Sequence, residues 1–278
     1  MKTKKLFSLA VITMVFIMNF LFSCKKDDNR TITEKIIDVV LSPSDDKALG
    51  LKVVTEIESN PTEYPVLNET TYPIPYQHIR RIKDVILNSG KIKHKTEFEW
   101  IVKIIQKDDV LNAFCTPGGY IYVYTGLIKY LDTEDQLAGV LGHEIGHADL
   151  RHSTDMMVAQ YGAAFLMEIV LGKASQSTVA QVSKSIVGLQ FSKTNETESD
   201  TISVRYLSPT SYQCSGASGF FEKLEADGKG CNSLKEFFST HPCPDNRIQN
   251  IKTKAQNLGC STTPIGGTSY QEFKSSLP

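Results

Sequence analysis

Five consecutive residues, His143-Glu144-Ile145-Gly146-His147, bring two nitrogen donors and a carboxylate together at a spacing that suits hydrolysis. Residues four apart on a helix share a face, so both imidazoles can reach one ion. Zinc is the ion expected, and it lowers the pKa of a bound water toward neutrality. Glu144 projects to an adjacent edge, where it is placed to take that water's proton as it attacks a peptide carbonyl. A catalytic zinc also needs a third protein donor and an open position. Downstream, Glu196-Thr197-Glu198-Ser199-Asp200 opens a predicted helix, and Glu196 and Asp200 share a face there. Glu196 is therefore the expected third donor, with Glu198, on another side, as the competing choice. Asp200 is placed to hydrogen-bond the far nitrogen of His143, fixing its tautomer. Short motifs recur by chance, so it is the joint occurrence of the two segments that carries the reading.

Elements able to position these groups are legible from periodicity. Thr133 to about Leu150 is the strongest amphipathic stretch, with Leu137, Val140, Leu141, Ile145 and Ala148 on one face. Earlier helices are expected over Ser44–Ser59 and Tyr76–Leu87. The period then shifts to two over Phe98–Ile105, and further short strands are expected at Leu111–Phe114 and Tyr120–Tyr124. Asp155–Leu171 reads as one very apolar helix, buried or lying over a groove and too short to span a bilayer. More helices are expected at 176–190, 194–207, 216–227 and 244–258. No 20–50-residue repeat is visible. Together these give an α+β fold, mostly helical, with one small sheet.

The N-terminus reads separately. Lys2, Lys4 and Lys5 precede an apolar run from Leu6 to Phe22, and Lys25-Lys26-Asp27-Asp28 follows it abruptly. This is the pattern of a secretion signal over residues 1–23. Its Leu21-Phe22-Ser23-Cys24 ending resembles a bacterial lipoprotein box, implying cleavage before Cys24, lipidation of its sulfur and a tether over 24–43. An uncleaved signal anchor is the alternative. The expected location is the bacterial cell envelope, with the protein lipid-anchored at an outer-membrane, periplasmic or surface face. Loss of 1–23 leaves 27 basic against 31 acidic side chains, a formal charge of −4. That balance gives no basic face for nucleic acid and no polybasic patch for the membrane. The catalytic domain is then 44–260, with 261–278 as a C-terminal tail. Four of the five remaining cysteines, Cys214, Cys231, Cys243 and Cys260, are expected to form two disulfides in this oxidising compartment, in one of three connectivities. Cys115 is left as a free core thiol.

The chain resembles the HtpX and CAAX-prenyl-endopeptidase family of zinc metallopeptidases, in particular its small lipoprotein members, over roughly residues 45–258. The likeness rests on Asn112-Ala113-Phe114, Pro117-Gly118-Gly119-x-Ile121-x-Val123, Thr125-Gly126-Leu127 and Leu141-Gly142 before the metal motif. It continues through Arg151-His152, Glu196-x-x-x-Asp200 and His241-Pro242-x-Pro244-x-x-Arg247-Ile248. Ser199 stands where the family commonly has alanine. The resemblance implies a gluzincin-type zincin domain with one Zn2+ on His143, His147 and Glu196, and Glu144 as base. It also puts His241 and Arg247 at the active site, where either can face a developing oxyanion. Alternatively, His241 fills the open zinc position at rest and swings away for substrate. Tyr120, Ile121, Tyr122 and Val123 are expected to form an edge strand beside the groove, to which substrate backbone adds. His152, His78 and His94 read as structural or surface residues.

By the same resemblance the substrates are proteins or peptides, with misfolded or unassembled envelope proteins the class suggested. A thermolysin-like peptidase fits less well, because in that family the third donor follows the second histidine much sooner than Glu196 follows His147. The alternative from another class is a lipid-anchored binding or chaperone-like module with a structural metal. A metal ligated wholly by protein would favour it, whereas Glu144 has no use in it.

Overall fold

In the computed structural model, residues 41–229, 239–242, 246–261, 263 and 269–278 are described. The signal, Cys24 and most of the tether lie outside them. Helix α1 (Pro43–Glu58) starts where Ser42 and Asp45 cap each other reciprocally. Helix α2 (Pro73–Leu87) begins with a proline in its first turn, where a missing N–H costs nothing. Next come the strands β1 (Ile101–Ile105), β2 (Ala113–Thr116) and β3 (Tyr120–Tyr124). The first strand starts later than periodicity suggests. Trp100 takes a left-handed φ of 49° and donates its indole N–H to the His94 carbonyl, so regular pairing begins only at Ile101.

The sheet order is β1-β3-β2, with β1 parallel and β2 antiparallel to β3. This overturns the expected edge strand: Tyr120, Ile121, Tyr122 and Val123 lie in the central strand, hydrogen-bonded on both sides. Composition and alternation report that a strand is buried, not how many neighbours it has. Successive side chains serve two cores, as the pleat requires. Val102, Ile104, Ala113, Cys115, Ile121 and Val123 face a core built with the metal-motif helix. Phe114, Tyr120, Tyr122 and Tyr124 face a second core with Leu49, Val53 and Met157.

The remaining helices are α3 (Thr125–Tyr130), α4 (Glu134–Asp149), α5 (His152–Tyr161), α6 (Ala163–Val170), α7 (Gln176–Val187), α8 (Lys193–Leu207), α9 (Gly216–Ala226), α10 (Arg247–Leu258) and α11 (Ser269–Ser275). The expected single helix over 155–171 is two. Gly162 adopts φ 82° and breaks it into α5 and α6. Residues 261–278 are not merely a tail: Tyr270, Phe273 and Leu277 are buried in the same core, with Phe273 stacked on His78 of α2. One expected disulfide is formed, Cys214–Cys260, and Cys115 is free and buried. Cys231 and Cys243, the remaining expected pair, lie outside the described residues. Among those described, no helix is long and apolar enough to cross a membrane.

Candidate metal centre

Helix α4 has a fixed start and close neighbours. Thr133 and Gln136 cap its N-terminus reciprocally, at the end of the helix away from the motif. Midway along, Gly139 lets α9 approach so closely that a Cβ would lie 2.0 Å from the Ala217 backbone nitrogen. Its carbonyl also accepts a hydrogen bond from Ser203 Oγ of α8 at 2.9 Å. Helix α8 starts at a second reciprocal cap, Ser192 with Asn195, which places Glu196 in its first turn. The two capped helices pack together, and their facing residues are the donors.

His143 Nε2 and His147 Nε2 are 2.9 Å apart. Glu196 completes the triangle, with Oε2 3.5 Å from His143 Nε2 and Oε1 3.2 Å from His147 Nε2. Donors about 2 Å from a tetrahedral zinc are separated by roughly these distances. His241 joins the group with Nδ1 3.1 Å from Glu196 Oε1, and donor atoms of all four residues lie within 4.8 Å of one another. All four are buried.

Beside them sits Glu144, fully buried, with neither carboxylate oxygen hydrogen-bonded among the described residues. An unsatisfied carboxylate in a dry interior is costly, so this one is kept for a partner the protein does not supply. His241 Nε2 is 3.5 Å from Glu144 Oε1. These features fit a zinc ion: a donor triangle of suitable size, and an unbonded base next to it.

Behind the donors, Asp200 Oδ1 is 2.8 Å from His143 Nδ1, as expected from the shared helix face. Arg247 reaches the same group. Its Nε and Nη2 donate to the two Asp200 oxygens at 2.7 and 2.8 Å, and Nη2 also lies 3.0 Å from Glu196 Oε2. The guanidinium, stacked on Phe221, thus holds two carboxylates in place, and its Nη1 has no hydrogen-bond partner among the described residues. Burial alone would lower the His143 pKa, but hydrogen bonds to Asp200 and Glu196 bring it up to about 9. His147 moves the other way, depressed by burial and by the charge of His143. Burial would raise Glu196 and Asp200, yet the neighbouring cations hold both below the ordinary carboxylate range. The centre therefore favours ionised carboxylates.

Three contacts were not legible in the sequence. Phe191 stacks on His147 with ring centroids 3.8 Å apart. His152, read as structural, has Nδ1 3.0 Å from His147 Nδ1. Glu198, set aside as a ligand, has Oε2 3.1 Å from His152 Nε2. A histidine placed five residues after a ligand was the available signal for the second; for Phe191 there was none.

A paired-histidine helix, a glutamate donor from a second helix and a buried free carboxylate define a metallopeptidase site. The chain belongs to peptidase family M48, whose sequence pattern matches residues 74–255. It is 28% identical over 199 residues to the beta-barrel assembly-enhancing protease of Yersinia pestis, covering 67% of this chain and 40% of that protein. The protein of that name from Escherichia coli K12 is 29% identical over 206 residues, 70% of this chain and 41% of the relative. The mitochondrial metalloendopeptidase OMA1 of Arabidopsis thaliana is 33% identical over 150 residues, 54% and 30% of the two chains. The chain thus spans well under half the length of these relatives. The α+β, mostly helical fold expected of a member of this peptidase family is present.

Proposed function

We propose that this chain is an envelope quality-control protease that cleaves misfolded or unassembled proteins from a lipid anchor at Cys24. The observation that carries the catalytic part is Glu144, a fully buried carboxylate with no hydrogen bond among the described residues, beside three converging donors. His143, His147 and Glu196 would hold the ion, which would supply Lewis acidity and an acidified water. Glu144 is placed to take up a proton and pass it to the leaving amine. Asp200 fixes the His143 tautomer, and Arg247 fixes Asp200 and Glu196 in turn.

His241 occupies the fourth position at rest. Every donor is buried in this conformation, so a peptide would reach Glu144 only if His241 moved aside. A protein-closed donor set also favours the structural-metal reading, but a structural site gives Glu144 nothing to do. The envelope assignment draws support from the signal and lipoprotein box and from relatives named for β-barrel assembly.

The test is zinc content and casein degradation for wild type and Glu144→Gln. Retained zinc with proteolysis reduced by about 10²–10⁴-fold is expected; equal proteolysis overturns the role of Glu144. For the anchor, Cys24→Ala should abolish acyl labelling and release the protein from membranes. Unchanged labelling would contradict it.

A further inference from the structure

The far sides of the two imidazoles are held by different partners. His143 meets Asp200 directly, whereas His147 meets another imidazole. With Nε2 turned to the donors, His147 Nδ1 points away from them, 3.0 Å from His152 Nδ1. His152 is buried, and its Nε2 lies 3.1 Å from Glu198 Oε2. Only one proton arrangement satisfies this chain of contacts when His147 ligates through Nε2. His147 then carries its proton on Nδ1 and donates it to His152 Nδ1. His152 keeps its own proton on Nε2 and donates it to Glu198.

The backbone before His152 is unusual in a way that suits aiming it. Arg151 sits in the left-handed region, φ 62° and ψ 25°, a conformation disfavoured in a residue with a Cβ. It is held there by its side chain, since Nε and Nη2 donate to Asp46 at 2.7 and 3.0 Å and Nη2 donates to the Leu41 carbonyl at 2.6 Å. The turn begins α5 at His152 directly beneath the motif helix.

We infer that His152 is a positioning residue, orienting His147 as a metal donor through a His147–His152–Glu198 relay. One stretch of α8 then serves the whole centre: Glu196 binds the ion, Asp200 backs His143, and Glu198 backs His147 through His152. The relay rests on the reading of His143, His147 and Glu196 as metal donors.

The test measures zinc affinity of the full chain by chelator competition, with the cobalt(II) absorption spectrum as a report on donor geometry. Variants are His152→Phe, which removes both relay bonds, His152→Asn, whose Oδ1 can still accept from His147, Glu198→Gln, and the Phe/Gln double. Affinity should fall about 10- to 100-fold for His152→Phe, as for other outer partners of metal ligands. His152→Asn should recover part of the loss and shift the cobalt spectrum less. Glu198→Gln should lose less than His152→Phe and add nothing to it in the double variant. Affinity within twofold of wild type for His152→Phe, an Asn variant no better than Phe, or full additivity would each overturn the relay. Should His152→Phe fail to fold, Glu198→Gln decides alone, because that side chain is 53% exposed and its exchange leaves the core intact. A wild type that binds no zinc would overturn the metal site itself, and the relay with it.

Discussion

Two buried serines mark how differently the two faces of the sheet are built. Ser203, on α8 beside the metal helix, donates to the Gly139 carbonyl at 2.9 Å. Ser183, on α7 in the other core, is as deeply buried, yet its hydroxyl has no hydrogen-bond partner among the described residues. The contrast extends to their surroundings. Around α4, Tyr206 donates to Asp149 at 2.6 Å, Glu134 takes both Arg81 and Tyr212, and Cys214–Cys260 ties the loop before α9 to the end of α10. Across the sheet, α6 is held chiefly by apolar contacts through Leu166 and Ile169, and Leu171 at its end is 59% exposed. Directional bonds fix positions to fractions of an ångström, which a donor set requires, whereas apolar packing fixes volume and tolerates sliding. The metal side is specified by polar geometry, and the other side by burial.

The largest expected effect tests whether the last residues belong to the metal-side core. Phe273→Ala should cost about 3–5 kcal/mol in chemical denaturation, as for a fully buried aromatic. A loss under about 1 kcal/mol would return residues 261–278 to the status of a tail. Next, Asp200→Asn should weaken zinc by about 10- to 100-fold while leaving the stoichiometry at one ion. Titration against a chelator measures this.

Acid should weaken the metal side through Glu134. Burial would raise its pKa, but Arg81 and Tyr212 hold it below the ordinary 4.5. A carboxyl depressed in the folded state contributes stability that is present above its unfolded pKa and is lost as pH falls through the folded one. The urea midpoint should therefore decline as pH drops below about 4.5, and Glu134→Gln should flatten that decline while lowering stability at pH 7. The smallest effects come from the serines. Ser203→Ala should cost about 1 kcal/mol, with the Gly139 carbonyl left bonded only within its helix. Ser183→Ala should fall within about 0.5 kcal/mol of wild type or stabilise slightly, because it removes an unpaired hydroxyl. Equal costs for the two would erase the distinction between the faces.

The sequence carried the donors well because their chemistry dictates type and spacing. His143, His147, Glu196 and Asp200 follow from four-residue helical separations, which survive whatever the tertiary context. Helix α8 was legible through the acidic Glu196–Asp200 segment that opens it. Elements set by tertiary contact were not legible. The pairing of Tyr120–Tyr124 on both edges depends on where β1 and β2 return, and no period records that. The break at Gly162 was masked by apolar residues on either side. The reach of Arg247 to Asp200 was not legible either, because it is settled by the placement of α10. The aim of His152 was not legible for the same reason: it depends on a left-handed turn at Arg151, held by Asp46 from a distant part of the chain.

The central claim is a zinc ion held by His143, His147 and Glu196 next to Glu144. Anomalous diffraction at the zinc edge from crystals of the protein tests it most directly. One peak is predicted within about 2.0–2.2 Å of both Nε2 atoms and a Glu196 oxygen, with the Glu144 carboxylate near but not bound. A peak elsewhere, or one with Glu144 among the ligands, would contradict the account.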